Sequence, residues 1–252
     1  MSAVALLNAE RIKLVTTRSS LWIAVVVAVL SLALAALQGG LSHPLAPLDP
    51  PRAALGMAVF GVPVLMVLAS MTVTSEYRSG MIRTTFIAAP NRTLVLLAKV
   101  LVVAVFSAAY AAVLTVTAIA MAGVFAAGGG AGELSPSSPE AWRLAAAIAL
   151  YAALAAVLGV AVGALLRAGP GAVAVLLLWP LVAEPMLGNL PDVGPQVGPY
   201  LPFANLFMFI EVPWLYPVYA MPWGPVGSLV FFAAMVVLVL GAAIAVINTR
   251  DV

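Results

Sequence analysis

A chain of 252 residues that is 64% hydrophobic, only 8% charged and has a mean hydropathy of +1.16 lacks the polar surface a soluble domain needs. It reads as an integral membrane protein of one bundle, and its net charge of +2, with no basic patch interleaved with aromatics, excludes a nucleic-acid binder. Zero cysteines exclude disulfides, thiolate catalysis and cysteine metal sites, and the single histidine, His43, cannot form a zinc site alone.

Residues 2–18 predict an interfacial helix. Val4, Leu7, Leu14 and Val15 share one side, and Arg11 and Arg18, lying between them, can snorkel to headgroups. A frayed tail is the alternative. The first span is about 20–37, just long enough for roughly 30 Å of hydrocarbon. Basic residues ahead of an apolar run ending near Ala33-Leu34-Ala35 resemble a secretory signal. The run at 21–37 exceeds the usual signal core of about 7–15 residues, so it is expected to stay as a span. Residues 38–52, with four prolines and Asp49, read as a loop. The second span is about 53–74 and carries Pro63, where a kink is expected. Residues 75–93 form a polar connection. The third span, about 94–127, is longer than a bilayer is thick, so it must tilt or protrude. After a flexible loop come the fourth span at about 140–166, a tight turn at 167–171, and the fifth at about 172–187, interrupted by Pro180 and Pro185. The last is about 226–247. The fold class expected is therefore all-α, with six transmembrane helices in a single transmembrane domain over 1–252 and no competing strand pattern.

Between the last two spans, residues 188–225 contain eight prolines and eight aromatics. That is too apolar for a solvated loop and too rich in proline for one spanning helix. Short interfacial or re-entrant helices fit, serving either as an aromatic anchor belt or as an outer lid for an apolar substrate.

The charges orient the spans. With both termini in the cytoplasm, the inner segments hold nine basic residues (Arg11, Lys13, Arg18, Arg78, Arg83, Arg92, Lys99, Arg167 and Arg250) and the outer ones hold Arg52 and Arg143. Six of the nine acids fall outside: Asp49, Glu133, Glu140, Glu184, Asp192 and Glu211. Retention of basic segments inside predicts a multi-pass plasma-membrane protein with cytoplasmic ends.

Few residues promise chemistry. Gly128-Gly129-Gly130-Ala131-Gly132 lacks the GK[ST] ending of a phosphate loop, so no nucleotide module is expected in this chain. Glu184, followed by Pro185, stands at the fifth span's end, either inside the bundle or at the outer interface. Gly159-x-x-x-Gly163 offers a groove for close helix approach, expected within the subunit. The sharpest signal is Thr74-Ser75-Glu76-Tyr77-Arg78-Ser79-Gly80-Met81-Ile82-Arg83-Thr84-Thr85-Phe86-Ile87. It predicts a short helix over 75–87, capped by Thr74 or Ser75 with Glu76 in its first turn, ending before Pro90. Its mixed face suits docking to a soluble partner; a solvated inner loop is the alternative.

This segment resembles the coupling segment of type-2 ABC transporter permeases. Ala9-Glu10-Arg11-Ile12-Lys13-Leu14 before Thr16-Thr17-Arg18-Ser19 resembles that family's interfacial helix, and Glu184-Pro185 with Tyr200-Leu201-Pro202-Phe203 its fifth-span end and outer re-entrant region. The likeness covers the whole chain and is nearest to small actinobacterial permeases. It implies an ATP-driven exporter subunit without enzymatic activity of its own. A cytoplasmic ABC ATPase would carry the ATP and Mg, and a second permease, the same chain or another, would complete the pathway. The substrate implied is amphipathic or hydrophobic: a drug, antibiotic or lipid. By matching position, Glu76, Tyr77, Arg78, Gly80, Met81 and Arg83 would couple to the ATPase, with Glu10, Arg11, Lys13 and Arg18 beside it on the interfacial helix. Glu184, Tyr200, Phe203 and Phe207 would border the pathway or outer gate. The competing classes are an ATPase-independent transporter or channel and a non-transporting membrane anchor.

Overall fold

The computed structural model describes residues 3–43, 45, 47–126, 134–217 and 219–250. The loop glycines at 128–130 and 132, and Glu133, lie outside them. Among the described residues the elements are helical, and six helices are long and apolar enough to cross a membrane, as in a multi-pass membrane protein.

Helix α1 (Ala3–Thr16) lies against the bundle through Leu6, Glu10 and Leu14, spaced by four so that they share one stripe. The buried face is not the one expected from apolarity, since Val4 and Val15 face outward. An acid occupies the centre of the buried stripe because lysines answer it there, which a hydropathy wheel scores against. The first span, α2 (Arg18–Leu41), continues four residues beyond its expected end. Gly39 stays helical and presses on the Ala122 backbone, where a side chain would collide with the carbonyl. Ser42 then ends the helix, its hydroxyl donating to the Gly39 carbonyl at 2.7 Å.

A short helix, α3 (Pro50–Ala53), is capped by Asp49, whose carboxylate accepts the Arg52 amide at 2.9 Å. The second span begins with a π turn, Met57–Gly61, and continues as α4 (Val62–Ser79). Pro63 lies just past that turn. Because proline cannot donate to the ladder and crowds the carbonyl four residues back, the widened turn ahead of it absorbs the misfit. The fifth span repeats the device: α8 (Gly169–Leu178), a π turn Trp179–Ala183 that also contains Pro180, then α9 (Glu184–Gly188) with Pro185 in the place of Pro63.

The expected helix over 75–87 is instead two. Helix α4 runs through Ser75 to Ser79, Gly80 breaks it with φ 72°, and α5 (Met81–Ala88) follows. Ser75 is not a cap: its hydroxyl and that of Ser79 donate back to the carbonyls of Met71 and Ser75 at 2.6 and 2.9 Å, and the apolar run carries the span onward.

The third span, α6 (Arg92–Phe125), starts where Asn91 accepts the Leu94 amide at 2.9 Å. Its 34 residues reach about 51 Å, well beyond about 30 Å of hydrocarbon. The central helix is α7 (Pro139–Leu166), started by a Ser138 cap with proline behind it. It packs on α4, α6 and the last span, α12 (Pro225–Thr249). Gly159 and Gly163 are the contact points with α4: a Cβ on Gly159 would strike the Met66 carbonyl, and one on Gly163 would lie 2.8 Å from the Ser70 carbonyl. Between the fifth and sixth spans stand α10 (Gly194–Val197), a single 3-10 turn and α11 (Pro202–Ile210). Helix α11 turns Phe203, Leu206, Phe207 and Ile210 into the core beside Tyr151 and Phe232.

Gly159→Leu is expected to lower stability by about 3 kcal/mol, since the wall it meets is backbone and cannot turn aside. Gly241→Leu, with open space around its Cβ, should cost less than about 0.5 kcal/mol. Thermal melts of the two purified variants compare them directly.

Candidate functional site

At one end of the bundle three helices bring four charged side chains into a closed ring. Helix α1 supplies Glu10 and Lys13, α4 supplies Glu76 from its last turn, and α6 supplies Lys99. Lys13 donates to Glu10 Oε1 and Glu76 Oε1 at 2.8 Å each. Lys99 donates to Glu10 Oε2 at 2.8 Å and to Glu76 Oε1 at 2.7 Å. Its third N–H reaches the Thr72 carbonyl at 3.3 Å, so the whole ammonium is satisfied at 2% exposure. Two acids and two bases cancel. Removing such ions from water costs several kcal/mol each, and the ring offsets this only because each lysine holds two carboxylates. Glu76 Oε2 is the one buried oxygen of the ring without a hydrogen-bond partner.

Glu76 sits near the C-terminal end of α4, the end where the helix dipole disfavours an acid. Its two lysines, not the helix, keep it there. Outside the spans, burial pushes the Lys13 ammonium down, but its hydrogen bonds to the Glu10 and Glu76 carboxylates, with their charges, outweigh this and hold it above the ordinary lysine range.

Beside the ring, α1, α2, α4 and α6 leave a cleft of about 400 Å³. Lys13, Glu76 and Arg78 line its charged side, and Leu14, Leu68 and Val103 its apolar side. Helix α5 projects next to it, with Met81, Arg83 and Ile87 exposed. Two cation–π contacts tie the same end together: Arg167 over Tyr77 at 5.0 Å and Arg92 over Phe86 at 5.2 Å. Arg92 also donates to the carbonyls of Ile247 and Arg250 at 2.9 and 3.1 Å, anchoring α12.

The residues expected to couple to a partner thus do not form one surface. Arg78, Met81 and Arg83 are exposed, whereas Tyr77 is half-buried and Glu76 is closed inside the ring. Gly80 contributes a left-handed backbone rather than a close approach, for nothing lies within 4 Å of its Cβ position. On α1, Arg11 is exposed like Arg18 at the head of α2, but Glu10 is buried.

The opposite end has its own buried acid. Glu184 is fully enclosed, inside the fold and not at its surface. Its Oε1 accepts the Trp179 indole N–H at 2.7 Å, and its Oε2 accepts the amides of Phe203 and Ala204 at 2.9 and 3.2 Å. It therefore caps α11 from a different span, and the positive end of that helix answers its charge. Asn205 continues the network: its amide donates to the carbonyls of Pro199 and Leu201 at 2.8 and 3.0 Å, and its oxygen accepts the Trp223 indole N–H at 2.7 Å. Phe203 packs on Phe232 and Phe207 on Tyr151 and Tyr216, in the core, whereas Tyr200 is exposed beside Trp223. No group of three His, Asp or Glu side chains among the described residues could hold a metal ion.

Sequence reasoning passed over Lys99 and Asn205. The signal for Lys99 was present: a lone lysine inside Leu94-Val95-Leu96-Leu97-Ala98-Lys99-Val100-Leu101 demands a partner. Asn205 carried no comparable signal.

The family described as "Protein of unknown function (DUF2705)" matches residues 53–252, and the chain belongs to that family. The match takes in Glu76, Lys99 and Glu184 and excludes α1, which brings the other half of the ring. No curated protein matches the sequence.

Lys99→Met leaves two buried carboxylates with one lysine and should cost about 3–5 kcal/mol. Adding Glu76→Met should restore part of that loss, because the pair acts as a unit. Equilibrium unfolding of parent, single and double variants measures the coupling.

Proposed function

We propose that this DUF2705 protein is the transmembrane permease subunit of an ATP-driven exporter of the type-2 ABC class. A separate cytoplasmic ATPase hydrolyses ATP, and the complex moves an amphipathic or hydrophobic substrate outward through a pair of permeases. The observation that carries this reading is the junction of α4 and α5. A span fastened by the ring passes through one left-handed glycine into a short exposed helix. Force applied to α5 is delivered to α4, and through Glu76 to α1 and α6 together. The spans carry no charge that is both exposed and central, in keeping with an apolar cargo.

Within this reading the residues divide their work. Met81 and Arg83 meet the ATPase, with Ile87 extending the same exposed surface and Arg78 at its margin, where it lines the cleft. Glu76, Tyr77, Glu10 and Lys13 transmit the load, and Gly80 sets the angle of α5. Arg11 and Arg18 hold the α1–α2 corner at the headgroups. At the other end Glu184 fixes α11, with Phe203 and Phe207 behind the outer gate and Tyr200 at its edge.

The test is retention of ATPase. The tagged chain purified from its native membrane should carry ATP hydrolysis with it. Met81→Asp combined with Arg83→Glu should reduce the retained hydrolysis by more than about ten-fold, a loss of about 1.4 kcal/mol of docking. The melting temperature of the permease should stay unchanged. Equal hydrolysis in variant and parent, or none in either, refutes the assignment. A proton gradient that drives transport in vesicles without any ATPase would favour the ATPase-independent class.

Orientation is tested separately. The chain has no cysteine, so single cysteines report cleanly. An impermeant thiol reagent on intact cells should label Gly40→Cys and Ser137→Cys but not Ser79→Cys. Labelling of Ser79→Cys from outside inverts the reading.

A further inference from the structure

The ring cancels its own charge, yet the surface around it is basic. Arg78 lines the cleft, and Arg11 and Arg18 stand exposed on the helices beside it. None of the three meets an acid among the described residues, because Glu10 and Glu76 are buried and already held by lysines. Lys13 adds a second feature. Two of its three N–H groups go to Glu10 and Glu76; the side chain is 39% exposed and lines the cleft, where the third N–H can donate.

The cleft changes character with depth. Thr17, Ser19 and Ser75 are exposed at its charged end, and Leu68, Val102 and Val103 form its wall toward the middle of the spans. A ligand that fits must be anionic at one end, rich in hydrogen-bond acceptors, and hydrocarbon at the other. Exposed Ile12, Val15, Leu21 and Trp22 on α1 and α2 place the same level of the molecule against lipid.

We propose that this cleft binds one anionic phospholipid, with its phosphodiester between Arg78 and Lys13 and an acyl chain along Leu68 and Val102. The site goes beyond the exporter reading and does not depend on it. The lipid's phosphate adds a negative group at the open side of the ring, holding Lys13 from the face that the two carboxylates do not reach. Its chain fills the space between α2 and α4. Occupancy therefore joins α1 to the bundle more firmly than the ring alone.

Native mass spectrometry of the delipidated full-length protein tests this, with phosphatidylglycerol, phosphatidylcholine and glycerol phosphate as probes. Phosphatidylglycerol should bind one to one and about five-fold more tightly than phosphatidylcholine, the difference expected of one basic group. Arg78→Gln should remove most of that preference. Ser19→Trp, which plugs the mouth from an exposed position, should remove the adduct itself. Equal binding of the two lipids by the parent overturns the proposal, as does an unchanged adduct in Ser19→Trp. Displacement of phosphatidylglycerol by equimolar glycerol phosphate also overturns it, because the pocket would then be a free-phosphate site.

Discussion

A lysine placed among leucines and valines stands only if its charge is answered at once, and Lys99 makes that demand on the whole of one end of this molecule. Its answer comes from two helices that are remote in sequence. Glu10 fixes where α1 lies on the bundle, and Glu76 fixes how far α4 extends before Gly80 turns it. Lys13 closes the circuit and leaves the ring neutral. With α1, α4 and α6 joined in this way, the cleft beside them has defined walls, and α5 leaves the bundle at a defined angle.

The opposite end solves a similar problem without a cation. Glu184 is held by an indole and two backbone amides, so its charge is met by the unpaired N–H groups at the start of α11. This choice has a geometric result. A lysine partner could follow the carboxylate through many rotamers, whereas two successive amides donate to it in one direction only. Helix α11 is thereby fixed in rotation, with Phe203 and Phe207 turned into the core and Asn205 placed to receive Trp223. The π turn at Trp179–Ala183 belongs to the same arrangement: it brings the Trp179 indole and Glu184 to the same spot from five residues apart.

The six spans were legible because each is a long apolar run bounded by polar or proline-rich segments, and such runs have no other way to satisfy their backbone in lipid. The prolines at 63 and 180 were legible as sites of disturbance, but not as π turns, since composition does not say how a ladder adjusts. The α4–α5 boundary was misread for a physical reason. Ser75 and Glu76 satisfy the local rule for a helix start, yet the apolar face of α4 continues past them, and tertiary packing outweighs a cap of about 1 kcal/mol. The ring was not legible at all as a unit. Its members lie up to 89 positions apart, and although Lys99 demands a partner, nothing in the sequence says which of the distant charges it is. Glu184 was legible as unusual but not as a cap, because the amides it accepts lie 19 and 20 residues away.

Chain order gives the Lys99 ring a meaning for biosynthesis. Both glutamates precede the lysine in the sequence, so α1 and α4 have left the ribosome when α6 follows. A lone lysine at the centre of an inserting helix costs about 2.5–3.5 kcal/mol, and Lys99, the eighth of the 34 residues of α6, bears a smaller part of that cost. Here the helix that carries it arrives at a membrane where two carboxylates already wait. Synthesised in the reverse order, the same residues would require the cation to enter lipid first and wait for its partners. Synthesis order and charge pairing thus run in the same direction: the carboxylates of α1 and α4 are made before the cation of α6 that they answer.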